Sequence, residues 1–153
     1  MRKVIFLIAA ISFLFGCASV QSRFETVKEM NTIEAYKEFL EKNPECEFSY
    51  EAERKLISLE FENAKKINSI EGYKYFLKTY RNNDYTEQVT NRLTELEVIS
   101  KFKKAEATNT KNAWEYFIDN CANIEYKNKA ISNLQNVEYE LVKKDGSRIW
   151  IWE

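Results

Sequence analysis

The sequence predicts an all-α protein built from three tandem helix-turn-helix repeats in a short superhelical array. Three observations carry that prediction. The stretch NTIEAYKEFL at 31–40 returns as NSIEGYKYFL at 68–77 and, more faintly, as NTKNAWEYFI at 109–118. Apolar residues between these stretches recur at helical spacing. Only three Gly and one Pro occur in 153 residues, too few turn formers for a chain of many short strands.

The first element is a leader, residues 1–16. Arg2 and Lys3 make a positive start, and Val4 to Phe15 is apolar apart from Ser12. A run of this length is shorter than the roughly 20 residues that span a bilayer, but it suits the apolar region of a secretory signal. Its end, Leu14-Phe15-Gly16-Cys17, resembles the lipobox of bacterial lipoproteins. That resemblance implies a diacylglycerol on the Cys17 thiol, with acyl chains such as palmitate, and cleavage just before Cys17. Two or more acyl chains anchor stably, at about 0.8 kcal/mol per buried methylene. Residues 17–23 would then be the lipidated linker. Ala18, as a residue other than Asp after the lipidated one, is compatible by the family's sorting rule with transport to the outer membrane. Loss of Arg2 and Lys3 lowers the 23 basic residues to 21 against 24 acidic ones, a net charge of −3. No basic patch marks a nucleic-acid partner or assists binding to anionic lipid.

The repeats occupy residues 24–138. Phe24, Val27, Met30, Tyr36, Phe39 and Ala52 are followed 37 residues on by Phe61, Ala64, Ile67, Tyr73, Phe76 and Val89. A further 41 residues bring Phe102, Ala105, Thr108, Trp114, Phe117 and Ala130, with the extra four absorbed around Val98 to Lys101. Recurrence on this scale marks a stacked repeat. One helix of each unit carries a stripe such as Ala52, Leu56, Leu59, Asn63 and Ile67, widened by Ile57, Phe61 and Ala64. The other carries Ile33, Tyr36 and Leu40, with Ala35 and Phe39 beside them. Asn31, Asn68 and Asn109 precede this second helix and are expected as its N-caps. Glu34 and Glu71, three residues later, complete the pattern of a capping box. Ala35, Gly72 and Ala113 share one position, as a close helix–helix approach requires.

Ala35 with Phe39, Gly72 with Phe76 and Ala113 with Phe117 resemble the small-x3-aromatic spacing of tetratricopeptide repeats, and Pro44 follows the helix as in that family's closing turn. The resemblance covers about Phe24 to Val137. The period of 37 or 41 departs from the family's 34, and the first-helix Trp and Leu-Gly signature is missing. What the resemblance implies is a protein-interaction scaffold; some envelope lipoproteins with such arrays serve outer-membrane protein assembly.

The last element is the tail, 139–153. Asp145-Gly146 is a hairpin turn signal, and Ile149 and Ile151 alternate with Trp150 and Trp152 as in a strand. The hairpin would set Val142 opposite Ile149 and Leu141 opposite Trp150. The alternative is a helix that runs on to Lys144.

Function is read as partner binding. Histidine is absent, which removes the commonest general base and metal ligand. No carboxylate pair, phosphate loop or ligand cluster stands out, so neither enzyme nor cofactor is expected. Cys46 and Cys121 fall in loops of different units and read as free, inert thiols. Tyr75 and Tyr116 stand where the first unit has Glu38, a wet position. Exposed there, they are either partner contacts or ordinary surface rings. Trp150 and Trp152 offer an edge strand or knob to a partner, or else cap the open end of the array. The expected protein is a lipid-anchored scaffold of the bacterial envelope, on the outer membrane or periplasmic face or else at the cell surface, that holds another protein or peptide. The alternatives are a structural accessory subunit without its own ligand, and self-association at an open end.

Overall fold

The computed structural model describes residues 20–144. The leader, Cys17 and the tail from 145 on, with Trp150 and Trp152, lie outside the described residues. Those described form seven α-helices and no strand, so the all-α class holds. Helix α1 covers 20–30. The others are α2 (Ile33–Lys42), α3 (Ser49–Ile67), α4 (Ile70–Thr79), α5 (Thr86–Thr108), α6 (Lys111–Asp119) and α7 (Ile124–Lys144). From α2 onward short helices of 9 or 10 residues alternate with long ones of 19 to 23. α5 is 23 residues against 19 in α3. Four extra residues turn a helix through about 400°, so the added turn rotates the apolar face by only about 40°.

The chain divides into two compact units. The first holds α1, α2, α3 and the second half of α4, residues 75–83; the second holds 69–74 and everything from Asp84. In the first unit Phe24, Tyr36, Phe39, Ala52 and Leu56 form the core, with Val27, Ile33, Leu40 and Phe48 packed against it. Phe24 sits 5.2 Å from the Phe39 ring and stacks on Phe48 at 4.9 Å. In the second unit the core is Ala105, Trp114, Phe117, Cys121 and Ala130. Phe102, partly buried, packs against it, 5.3 Å from Trp114, 5.5 Å from Phe117 and 5.3 Å from Tyr126. Burial of each such ring is worth ~1.5–3 kcal/mol, and each ring pair adds about 1 kcal/mol.

The corners between long and short helices correct the expected capping. Asn31, Asn68 and Asn109 are left-handed, with φ of 46°, 47° and 45°. Their amides donate to the carbonyls of Val27, Ala64 and Ala105. They therefore close the preceding helix, and Asn tolerates this conformation better than most residues. The next helix is capped one residue later: the Ala35, Gly72 and Ala113 amides donate to the hydroxyls of Thr32, Ser69 and Thr110. With the cap at Thr32 or Ser69, Glu34 and Glu71 fall one place short of a capping box. They still place a carboxylate in the first turn, where the helix dipole favours it.

Two stripe assignments also change. Asn63 and Ile67 are exposed, and so are Met30 and Thr108. They sit at or near the end of a helix that runs into an Asn corner, where the chain leaves the packed face. The buried stripe of α3 is instead Ala52, Leu56, Glu60 and Ala64, with Phe61. At the other end α7 continues without a break past Glu138 to Lys144. Leu141 and Val142 are therefore helical, and the strand expected opposite Ile149 does not form from them. Continuation keeps the helical hydrogen-bond ladder, and Lys143 and Lys144 lie in the last turn, where positive charge suits the dipole.

Candidate functional site

In the first unit a charged cluster joins three elements. Glu60 of α3 is only 6% exposed. Its Oε1 accepts a hydrogen bond from Lys37 Nζ of α2 at 2.5 Å and another from the Tyr80 hydroxyl, just after α4, at 3.1 Å. The Glu60 bond raises the Lys37 pKa, with burial opposing it. Burial raises that of Tyr80, and the Glu60 charge adds to the effect. Tyr75 acts electrostatically on both groups, so it lies beside this cluster. Glu60 is not singled out by sequence reading. Its signal is its place on the buried stripe, four residues from Leu56 and four from Ala64.

Related clips occur in the second unit. Lys74 Nζ of α4 meets Glu97 of α5 at 2.8 Å, and Lys111 Nζ of α6 meets Glu138 of α7 at 2.7 Å. Each joins a short helix to the long helix after it. Position 115 is Glu where Lys37 and Lys74 stand, and Lys111 supplies the cation from one turn earlier. These later pairs are exposed, and exposed pairs contribute ~0–1 kcal/mol.

The second unit carries a groove of about 650 Å³ between α5 and α6. Ala105, Phe117 and Cys121 form its buried apolar floor. Lys101 and Lys104 line one side, Asn112, Asn120 and Tyr116 the other. Tyr116 is 73% exposed. Two lysines and no carboxylate are among the lining residues, so the groove favours acidic or neutral occupants. Lys101 and Lys104 are three apart on one helix, a spacing that places both on one face.

The predicted contact residues divide as follows. Tyr75 is 56% exposed, in the first unit; Tyr116 is exposed in the second. Cys17, Trp150 and Trp152 lie outside the described residues. Cys46 is a half-buried free thiol that accepts from Ser49 Oγ at 3.4 Å. Cys121 is free and buried, and its thiol donates to the Asn123 carbonyl at 3.5 Å. Among the described residues no cluster of three or more Cys, Asp or Glu is placed to hold a metal ion, and no helix is long and apolar enough to cross a membrane. No family model, no curated protein and no solved structure matches the chain.

Proposed function

We propose that the chain is a lipid-anchored bacterial envelope protein whose three tandem, tetratricopeptide-like repeats hold a protein or peptide partner. The observation that carries the binding reading is the α5–α6 groove, with an exposed tyrosine at its rim. Its floor is apolar and its rim is positive and polar. That combination suits an extended or helical segment that presents an apolar side chain beside an acidic one. The repeat reading is supported by aligned burial. Tyr36, Tyr73 and Trp114 are all buried, as are Phe39, Phe76 and Phe117, and Ala52, Val89 and Ala130.

Anchoring through Cys17 rests on the lipobox resemblance. It places the scaffold at a membrane surface of the envelope, on the outer-membrane or periplasmic side. Binding then occurs at a surface, where tethering raises the effective concentration of a partner held nearby.

The test is crosslinking in cells with a photoreactive residue in place of Asn112, which lines the groove, then the same capture with Tyr116→Ala and Lys104→Glu in protein that melts as wild type. A captured protein lost in these variants supports the reading. Capture unaffected by either substitution removes the groove from it. For the anchor, Cys17→Ser is expected to abolish fatty-acid labelling and release the protein from membranes; lipid still attached to that variant would overturn the assignment.

A further inference from the structure

Tyr80 follows α4 directly. Its ring lies 5.4 Å from that of Phe76, and its hydroxyl donates to Glu60 of α3 at 3.1 Å. One side chain thus bridges from a short helix back to the long helix before it. The offset of 41 residues that carries Phe61 to Phe102 and Phe76 to Phe117 also carries Glu60 to Lys101 and Tyr80 to Cys121. Both members of the bridge are therefore exchanged at α5–α6. The ring becomes a small thiol, which is buried and donates to the Asn123 carbonyl of its own loop. The buried carboxylate becomes an exposed lysine. The groove of about 650 Å³ opens where the two exchanges meet, and Lys101, Phe117 and Cys121 all line it. Its volume is in the range of pockets that enclose a small ligand.

The extra turn of α5 accounts for the reversal of charge. Glu97, 37 residues after Glu60, keeps the clip to the short helix before it, through Lys74 at 2.8 Å. Lys101, one turn later, takes the place next to Phe102 that Glu60 has next to Phe61. Glu97 feels Lys101 electrostatically, but its hydrogen bond goes to Lys74. The role of Glu60 is thus divided between two residues, and the one at the groove is a cation.

We infer that the α5–α6 groove recognises an aromatic side chain and a neighbouring carboxylate on one segment of a partner protein. This deepens the scaffold reading and rests on it. The ring takes the place against Phe117 that Tyr80 takes against Phe76. The polar group follows from the exchange at the other end of the bridge. An ammonium has three donors and no acceptor, so the group that meets Lys101 accepts where the Tyr80 hydroxyl donates. An ionised acceptor makes the stronger bond. Lys104 adds a second positive charge on the same face of α5, and no carboxylate lines the groove, so an acidic segment is the complementary one. Tyr116 stands at the rim, the counterpart of Tyr75, which acts on Tyr80.

The experiment uses the isotope-labelled full-length chain in detergent and a synthetic Gly-Glu-Phe-Glu-Gly peptide with both ends blocked, read by amide chemical shifts. Saturable shifts around Lys101, Lys104 and Tyr116 are expected. Peptides with Ala for the Phe, or Gln for both Glu, should bind about tenfold more weakly or worse. Lys101→Glu with Lys104→Glu, both at exposed positions, should lose the acidic peptide and bind Gly-Lys-Phe-Lys-Gly instead. Cys121→Tyr, which returns a ring to the groove, should exclude the acidic peptide; the charge exchange leaves the core untouched and decides the matter even where Cys121→Tyr does not fold. Absence of saturable binding to the wild-type chain, equal binding of the Ala or Gln peptide, or the acidic peptide retained by the double glutamate variant overturns the proposal. Trp150→Ala with Trp152→Ala should leave the affinity unchanged; tighter binding in that variant would mark the chain's own tail as the occupant and overturn the assignment to a partner. If the peptide fails while capture from position 112 still depends on Tyr116, this recognition falls and the scaffold reading stands; if capture fails as well, both fall.

Discussion

Lys37 Nζ donates to Glu60 Oε1 across 2.5 Å, and the carboxylate it meets is almost wholly buried while the lysine is about half exposed. The asymmetry decides what each side of the pair does. Removal of the lysine leaves a buried charge that still accepts from the Tyr80 hydroxyl. Lys37→Met is therefore expected to cost about 2 kcal/mol, within the range for hydrogen bonds to charged groups. Lys74→Met, whose partner Glu97 is 37% exposed, should cost about 0.5 kcal/mol or less. Urea unfolding of the two variants checks the contrast. Equal midpoints would remove any special role for Glu60.

This cluster and the buried Tyr36 of α2 shape the response to alkali. Tyr80 has a raised pKa through burial, Tyr36 likewise through burial, and Lys37 through its bond to Glu60. A raised folded value means that the folded chain keeps a proton that the unfolded chain releases. The unfolded references are about 10 for Tyr and 10.4 for Lys, so the contribution is whole below pH about 10 and is lost above it. Urea midpoints should be level from about pH 8 to 9.5 and fall beyond. Tyr80→Phe removes one of the three groups and should make the fall shallower. Glu60 and Tyr75 act on both Lys37 and Tyr80, Glu34 acts on Lys37, and Glu51 and Lys28 act on Tyr36.

The Asn-Thr and Asn-Ser corners give different predictions for two small substitutions. Asn31 is left-handed at φ 46°, a conformation that costs a residue with a Cβ roughly 1–2 kcal/mol. Asn31→Ala should therefore destabilise by about 1 kcal/mol, whereas Asn31→Gly should be neutral within about 0.5 kcal/mol. Thr32→Ala, which removes the hydroxyl that accepts the Ala35 amide, should cost about 1 kcal/mol. Thermal melts of the three variants separate the two roles. An Asn31→Ala melt above that of Asn31→Gly would contradict the left-handed corner.

These corners also show what was legible in the sequence. The three similar stretches of sequence fall on α2, α4 and α6, and their Tyr36, Tyr73 and Trp114 are buried. Repetition did not assign the cap, since Asn is favoured both before a helix and after one. Only backbone geometry tells the two apart, and the cap is the hydroxyl one residue later. Glu60 was illegible for a different reason: a charge on an apolar stripe reads as surface until a lysine from another helix is brought to it. Tyr116 was marked by alignment with Glu38, but its groove depends on how α5 and α6 pack. In the tail, Asp145-Gly146 signalled a turn and left open how far the helix before it would run. α7 continues to Lys144 because nothing in Leu141 to Lys144 breaks a helix.

Gly72 provides the sharpest separation of propensity from packing. It stands at the third position of α4, with its amide on the Ser69 hydroxyl, and it is half-buried. The matching residues are Ala35, which is buried, and Ala113, which is half-buried. Because Ala is accommodated at both of those places, Gly72→Ala should gain helix propensity without steric cost and stabilise by up to about 1 kcal/mol. Leu has nearly the same propensity as Ala, yet it adds three heavy atoms at a position kept small three times. Gly72→Leu should therefore lose about 1–3 kcal/mol through overpacking. Differential scanning calorimetry of the pair gives shifts of opposite sign if the position is a close approach between helices. A Leu variant that melts with the Ala variant would mean that space exists there and that the recurring small residue has another cause.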